Sequence, residues 1–402
     1  MLRAAVARLL GRPLPDDPAP TPHSGGGGLA LALTGGGARA AYQAGVLRGL
    51  VRAIPSLEPR ILTGVSAGAL NGAFLAAAPA ASFSEAVDAL VETWTSITAE
   101  DVYRVDGPSL TRTLARLVRR PAEVDPPAEG GLLDTTPLHA FVERHLGPLG
   151  APIEAIGNAV EAGRLHAFAV TTTSYTTGQS VTWVEGRGEE IWDRPMRRAV
   201  RARILPEHIL ASASLPFFFP AVEVQDAAVG PGWYGDGGIR LTAPLSPALH
   251  LGADRILAIN TRYARSSDEA NRPDVDAYPL PARVLGVLMN AVFLDVLDRD
   301  AQTLQRINAL LEVLPADEWN GFRPVDLIVL RPSRDLATLA SGFEPRLPPT
   351  MRLLLGGLGV ADRSPDWLSM LLFDPAYVQL LLEVGEADGD TQAESVAAFL
   401  DA

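Results

Sequence analysis

Three short stretches hold the residues best suited to chemistry: Gly35-Gly36-Gly37-Ala38-Arg39-Ala40, then Gly64-Val65-Ser66-Ala67-Gly68, and much later Asp236-Gly237-Gly238. The second has the G-x-S-x-G form of a nucleophile elbow, with an apolar run before it and a small-residue run after it. A strand that turns so sharply into a helix leaves Ser66 exposed in a strained conformation, and only tiny neighbours at Gly64 and Gly68 permit the turn. A serine nucleophile needs a base, and in most hydrolases that base is a histidine oriented by an acid.

The histidines fit this role badly. In the order Ser…Asp…His the histidine comes last, yet no histidine follows His250, which falls in an expected helix, Ser246 to Leu251, and reads as structural. His139, His145, His166 and His208 lack the H-x-x-x-H or H-x-x-E-H spacing of a metal site, so no metal is expected, and His23 sits in an N-terminal tail. Asp236 is the better partner. Burial raises the pKa of a carboxylate, and a direct hydrogen bond to Ser66 lets it take a proton without an imidazole between them. Taken alone, Asp-Gly-Gly is an ordinary turn.

The glycine turn admits two ligands, because backbone N–H groups at a helix start attract a pyrophosphate as well as a developing oxyanion. Gly35 to Ala40 also satisfies G-x-G-x-x-G/A, the mark of a dinucleotide-binding oxidoreductase. That reading requires an acidic residue ending the second strand. Here the strand ends in the serine elbow, and Glu58 precedes the strand and is followed by Pro59. The elbow, the misplaced histidines and the later Asp-Gly-Gly decide for the oxyanion. A catalytically silent lipid-binding scaffold is the remaining alternative, and the intact Ser66, Asp236 and glycine turn speak against it.

These residues need elements to hold them. Leu29 to Thr34 is continuously apolar, as a central parallel strand covered on both faces should be. Tyr42, Val46 and Leu50 mark one face of a helix that stops before Pro55; a second strand starts at Arg60, and Ala69 to Ala78 reads as a buried helix. The glycine turn and Ser66 therefore lie at the C-terminal ends of neighbouring parallel strands, where open α/β sheets bind ligands. Ser82 to Ala162 reads as mainly helical with a proline-rich break at Pro121 to Pro127, and a hairpin is expected around Thr177-Gly178. Arg255 to Asn260 is a further buried strand. Arg265 to Pro281 is a polar linker, Val284 to Leu314 a long amphipathic helical segment, and Val325 to Leu330 a strand ahead of a helical C-terminus. The expected organisation is a tail at 1–28, a catalytic core at 29–260 and a mainly helical extension at 261–402.

Composition narrows the chemistry further. The chain of 402 residues, 47% hydrophobic, can bury a large core, and its net charge of −13 argues against a nucleic-acid partner. All 34 basic side chains are arginine, since no lysine occurs, and cysteine is absent. This excludes a Walker lysine, a Schiff base to pyridoxal phosphate, a thiol nucleophile and a Cys-ligated metal. No cofactor is expected. Ile61 to Ser84 is long enough to span a membrane, but its glycines, Asn71 and Pro79 fit a strand, turn and buried helix better. The first twenty residues read as a short helix and a Pro-rich tail without a signal-peptide pattern, so a cytoplasmic location is expected. The run Arg194, Arg197, Arg198, Arg201 and Arg203 would place basic groups on one helical face, suited to a solvated surface or to transient contact with anionic lipid headgroups.

In their order and form, the three motifs resemble the patatin-like phospholipases, whose pattern is a G-G-G-x-R-G turn, a G-x-S-x-G elbow and a D-G-G or D-G-A motif. Ala211 to Pro220, "ASASLPFFFP", is similar to that family's A-S-x-x-x-P-x-x-F-P stretch, and Ala40 replaces the usual last glycine of the turn. The resemblance covers roughly Leu29 to Asn260. It implies an α/β fold with a three-layer α/β/α core around a mostly parallel sheet. It further implies hydrolysis of a lipid acyl ester by a Ser-Asp dyad, with Ser66 as nucleophile and Asp236 as proton acceptor. Gly35, Gly36, Gly37 and Arg39 would then form the oxyanion turn, supported by Gly64, Gly68, Gly237 and Gly238.

Overall fold

The computed structural model describes residues 28–104, 131–187, 191–271, 296–347, 351–352 and 365–401. The expected N-terminal helix and tail, the break at Pro121 to Pro127, most of the polar linker and the start of the segment from Val284 lie outside them.

Strand β1 (Leu29–Leu33) leads through a 3-10 turn at Gly37–Ala40 into α1 (Ala41–Ala53), and β2 (Ile61–Val65) leads directly into α2 (Ala67–Ala77). Four helices follow: α3 (Phe83–Ser96), α4 (Ala99–Val102), α5 (Thr136–Leu146) and α6 (Glu154–Glu161). The expected hairpin is β3 (Ala167–Ser174) and β4 (Ser180–Gly186), paired antiparallel. Next come β5 (Asp193–Arg194), β6 (Arg197–Arg201), α7 (Pro206–Ser212), β7 (Val222–Asp226) and β8 (Gly230–Asp236). The chain then forms α8 (Ser246–His250), β9 (Arg255–Ile259), α9 (Ser267–Ala270), α10 (Val296–Val313) and β10 (Asp326–Leu330). It ends in α11 (Leu336–Ala340), α12 (Pro365–Leu371) and α13 (Pro375–Asp401).

All ten strands join one mixed sheet, ordered β10-β9-β1-β2-β3-β4-β6-β5, with β8 pairing β3 and β7 pairing β8. The run from β10 to β3 is parallel throughout. Alternation along the central strands splits the core into two layers. Leu31 and Leu33 enter the larger cluster with helices α1 to α3, α12 and α13, while Ala30 and Ala32 enter a smaller one with Leu297, Ala301 and Leu304 of α10. Helices on both faces give the three-layer α/β/α arrangement.

The arginine-rich run is not a helical face. Arg194 lies in β5 and Arg197, Arg198 and Arg201 in β6, at the far edge of the sheet. In β6 the successive buried residues Val200 and Ala199 go to opposite layers, as a strand requires. Charged edge strands resist pairing with other chains, so an arginine-dense sequence is suited to this place. Arg203, just beyond, pairs with Glu185 at 2.6 Å and Glu154 at 3.0 Å.

The C-terminal helix α13 packs directly on α1 through small residues. A Cβ on Gly45 would lie 2.2 Å from the Leu382 carbonyl oxygen, and one on Gly385 the same distance from that of Tyr42. Around this contact Tyr42 donates to Asp388 at 3.0 Å, Arg48 pairs with Glu386, and Arg52 bridges Glu386 and Asp390.

Candidate active site

Every residue of β2 is buried, and its last, Val65, delivers Ser66 into a backbone conformation of φ 56° and ψ −134°. A non-glycine residue held there stores about 1 to 3 kcal/mol, so its surroundings must fix it. The Ser66 N–H donates to Ser212 Oγ at 2.9 Å, and that hydroxyl donates in turn to the Thr171 carbonyl at 2.7 Å. Gly68 lets the start of α2 press on the end of β1, since a Cβ there would lie 2.4 Å from the Leu33 carbonyl oxygen. Gly64 is equally close to Ala69 of the same helix.

Register brings Asp236 to the serine. Strand β2 runs parallel to β3 and ends with Val65 opposite Thr171; β8 runs antiparallel to β3 and ends with Asp236 opposite Thr172. The two strands therefore meet end to end along one edge of β3, and Ser66 follows Val65 at the junction. Three bonds fix the aspartate: its N–H donates to the Ser214 carbonyl at 3.1 Å, its carbonyl accepts from Thr173 Oγ1 at 2.8 Å, and Oδ1 accepts from Gly238 N–H at 2.8 Å. Gly237 lies flat against the Thr171 carbonyl, where a side chain would clash.

Asp236 is fully buried, and its Oδ2 has no settled hydrogen-bond partner among the described residues. Burial raises the carboxyl pKa to about 7, against the downward pull of the Ser66 hydroxyl and the Gly238 N–H. The side chain can thus hold or release a proton near neutrality.

The glycine turn lies against the other side of Ser66, where a Cβ on Gly35 would come within 2.9 Å of the serine Cβ. Gly37 adopts φ +57° and touches the Met370 carbonyl oxygen, a contact that only glycine allows. The turn is braced from behind by buried polar groups. Thr261 Oγ1 donates to the Gly35 carbonyl at 2.7 Å, Gln43 donates to the Thr34 carbonyl at 2.9 Å, and Asn71 donates to Gln43 at 2.9 Å and to the Ala40 carbonyl at 3.0 Å. Among the described residues, the N–H groups of Gly35, Gly36 and Gly37 donate to no protein acceptor. Arg39 differs from its expected place with these donors: its own N–H is spent on the Gly36 carbonyl at 3.2 Å. Its guanidinium is 2.7 Å from both Ser369 Oγ and Asp366 Oδ1 and is buried, so it ties the turn to α12.

Two cavities open at Ser66. One, of about 510 Å³ counting the space open to solvent, is apolar and is lined by Leu70, Trp94, Leu138, Leu215 and Phe219 together with Met370, Leu371 and Phe373. The other, of about 370 Å³ on the same count, contains Asp236, Gly238, Leu241, Pro244 and Asn260. Of the "FFF" run, Phe219 lines the first cavity, Phe218 is core and Phe217 points outward at φ +68°. Among the described residues, neither cavity is lined by a histidine. His208 is buried against Trp183, with ring centroids 4.2 Å apart, and burial lowers its pKa to about 3. His145 and His250 bond to backbone carbonyls within their own helices. Among the described residues no group of acidic and histidine side chains could hold a metal, and no helix is long and apolar enough to cross a membrane.

The structure brings together Ser66, Asp236 and the three glycines named from the sequence, and holds them by Ser212, Ser214, Gln43, Asn71 and Thr261, which the sequence did not single out. The stretch "ASASLPFFFP" carried part of that signal, because its first serine anchors Ser66 and its second anchors Asp236.

Residues 31–249 match the family described as patatin-like phospholipase. No curated protein sequence matches the chain. Among solved structures, human GIVD cytosolic phospholipase A2 is 12% identical with a TM-score of 0.43, covering 100% of this chain and 62% of that one. Its complex with methyl gamma-linolenyl fluorophosphonate and terbium chloride is 15% identical with a TM-score of 0.41, covering 99% and 62%. VipD from Legionella pneumophila is 12% identical with a TM-score of 0.33, covering 92% of this chain and 66% of VipD. The chain thus spans less than two thirds of the length of each.

Proposed function

The chain belongs to the patatin-like phospholipase family, and from that premise we propose that it is a lipid acyl hydrolase working through a Ser66–Asp236 dyad. The observation that carries this reading is the end-to-end meeting of β2 and β8 on β3, which brings serine and aspartate together at cavities that no histidine among the described residues lines.

In this reading Ser66 Oγ attacks the carbonyl carbon of a bound ester while its proton passes to Oδ2 of Asp236, the carboxylate oxygen without a settled partner. The carbonyl oxygen becomes an oxyanion and is held by the unspent N–H groups of the Gly35–Gly37 turn. Collapse of the tetrahedral intermediate breaks the ester C–O bond, and Asp236 returns the proton to the leaving alcohol. The acyl group is then bonded to Ser66, with its chain in the apolar cavity. Water attacks this acyl-enzyme, giving up a proton to Asp236; as the second intermediate collapses, that proton returns to Ser66 Oγ and the fatty acid leaves. No cofactor or metal enters the scheme.

The test is hydrolysis of p-nitrophenyl acyl esters by the full chain. Wild type turns over; Ser66→Ala and Asp236→Asn each lose about 10³-fold or more in kcat, as removal of a catalytic nucleophile or base does. Unchanged turnover in both variants would overturn the dyad. Tight dinucleotide binding without ester turnover would restore the oxidoreductase reading of the glycine turn.

A further inference from the structure

We infer that the acyl cavity is closed by a rigid wall, Trp94 and Phe373, and that this wall selects acyl groups of medium length over chains long enough to span a membrane leaflet. The inference rests on the hydrolase reading above and adds to it the class of substrate.

From Ser66 the cavity follows α2 past Ala67 and Leu70, and Trp94 is fixed at the level of Asn71, whose side-chain oxygen accepts its indole N–H at 2.8 Å. Ser66 and Asn71 are separated by about 7.5 Å of helix rise. A leaflet-spanning acyl chain needs about 15 Å, half the hydrocarbon thickness of a bilayer. The wall therefore stands about halfway along such a chain.

The wall is also unable to swing aside. Trp94 is 3% exposed, and its partner Asn71 is bonded to Gln43 and to the glycine turn. Phe373 stacks on the indole, its ring inclined by 3° at a centroid distance of 6.4 Å. Tyr103 meets Phe373 edge-on and donates its hydroxyl to the Leu371 carbonyl at 2.6 Å, pinning the turn that carries Phe373. Arg39 fixes the preceding helix α12 through Asp366 and Ser369. The wall is thus shared: Trp94 lies within residues 31–249, the part that matches the family, and Phe373 comes from outside it.

The experiment compares kcat/KM for p-nitrophenyl butyrate, octanoate and palmitate in one detergent, using the full chain. Wild type should favour octanoate over palmitate by about tenfold or more, since methylenes that meet the wall must displace packed side chains instead of gaining burial. Phe373→Ala should move the preference toward palmitate by about fourfold for each methylene newly buried. Leu138→Phe, which narrows the same cavity, should move it toward butyrate. Thermal unfolding checks each variant, and Phe373→Leu is the milder cut should Phe373→Ala fail to fold. Palmitate preferred by wild type, or a profile unmoved by both kinds of variant, would overturn the wall. No turnover of any ester by wild type would overturn the hydrolase reading itself.

Discussion

In the proposed dyad, Asp236 sets the pH behaviour of the site. Its ordinary carboxyl pKa of 3.8 is raised to about 7 in the folded chain, so the native state binds the proton more tightly than the unfolded one. The resulting stabilisation is full below pH 3.8 and is lost as pH rises through about 7, leaving a buried carboxylate at alkaline pH. Two outcomes are expected. The kcat/KM of wild type rises with pH and levels off above about 7, because the base must be unprotonated. Asp236→Asn keeps the acceptor for Gly238 but carries no charge, so urea denaturation at pH 8.5 should find it more stable than wild type by up to about 4 kcal/mol. At pH 4 that gap should close. Ser66 and Asp236 were legible in the sequence because their neighbours must be small for backbone reasons. Ser212 was not, since a serine in an apolar stretch shows no partner until the sheet brings Thr171 and Ser66 beside it.

At the scale of elements, the elbow is held from α7 and the glycine turn from α12. Ser212→Ala removes the acceptor of the Ser66 N–H and a donor to the Thr171 carbonyl, which should cost about 1 to 3 kcal/mol in thermal unfolding. It should also lower kcat about 10-fold to 100-fold while leaving KM nearly unchanged, because it misplaces the nucleophile without touching the acyl cavity. Arg39→Met should cost about 1 to 3 kcal/mol in urea denaturation, since it removes the guanidinium's bonds to Asp366 and Ser369. Strands β1, β2, β9 and β10 were readable as continuous apolar runs, and β3 with β4 as a hairpin. Strand β6 was hidden by its arginines, and β8, Gly230–Asp236, by glycines and a proline that locally signal turns. What makes β8 a strand is its pairing with β7 and β3, contacts distant in sequence. Strand β7 did carry a signal, Val222 and Val224 alternating with exposed Glu223 and Gln225.

For the molecule as a whole, the C-terminal residues complete the core that the first half begins. Tyr377, Val378, Leu381 and Leu382 of α13 are buried in the same cluster as Tyr42, Val46 and Leu50 of α1, and β10 extends the parallel run of the sheet. Gly385→Val should therefore destabilise the chain by about 1 to 3 kcal/mol or more, because the added atoms meet the Tyr42 carbonyl rather than a movable side chain. A midpoint shift in thermal unfolding reads this directly. A helical C-terminus was legible from periodicity. Its docking site was not, because glycines at 45, 49, 385 and 389 read as poor helix formers until both helices are seen to need close approach.

The pairing of Ser66 with Asp236 is tested most directly by the pH dependence of fluorophosphonate labelling, followed by peptide mapping. Expected is a single adduct on Ser66 whose rate of formation rises through one ionisation near about 7, with that ionisation absent in Asp236→Asn. An adduct on another residue, or the same ionisation persisting in Asp236→Asn, would contradict the dyad.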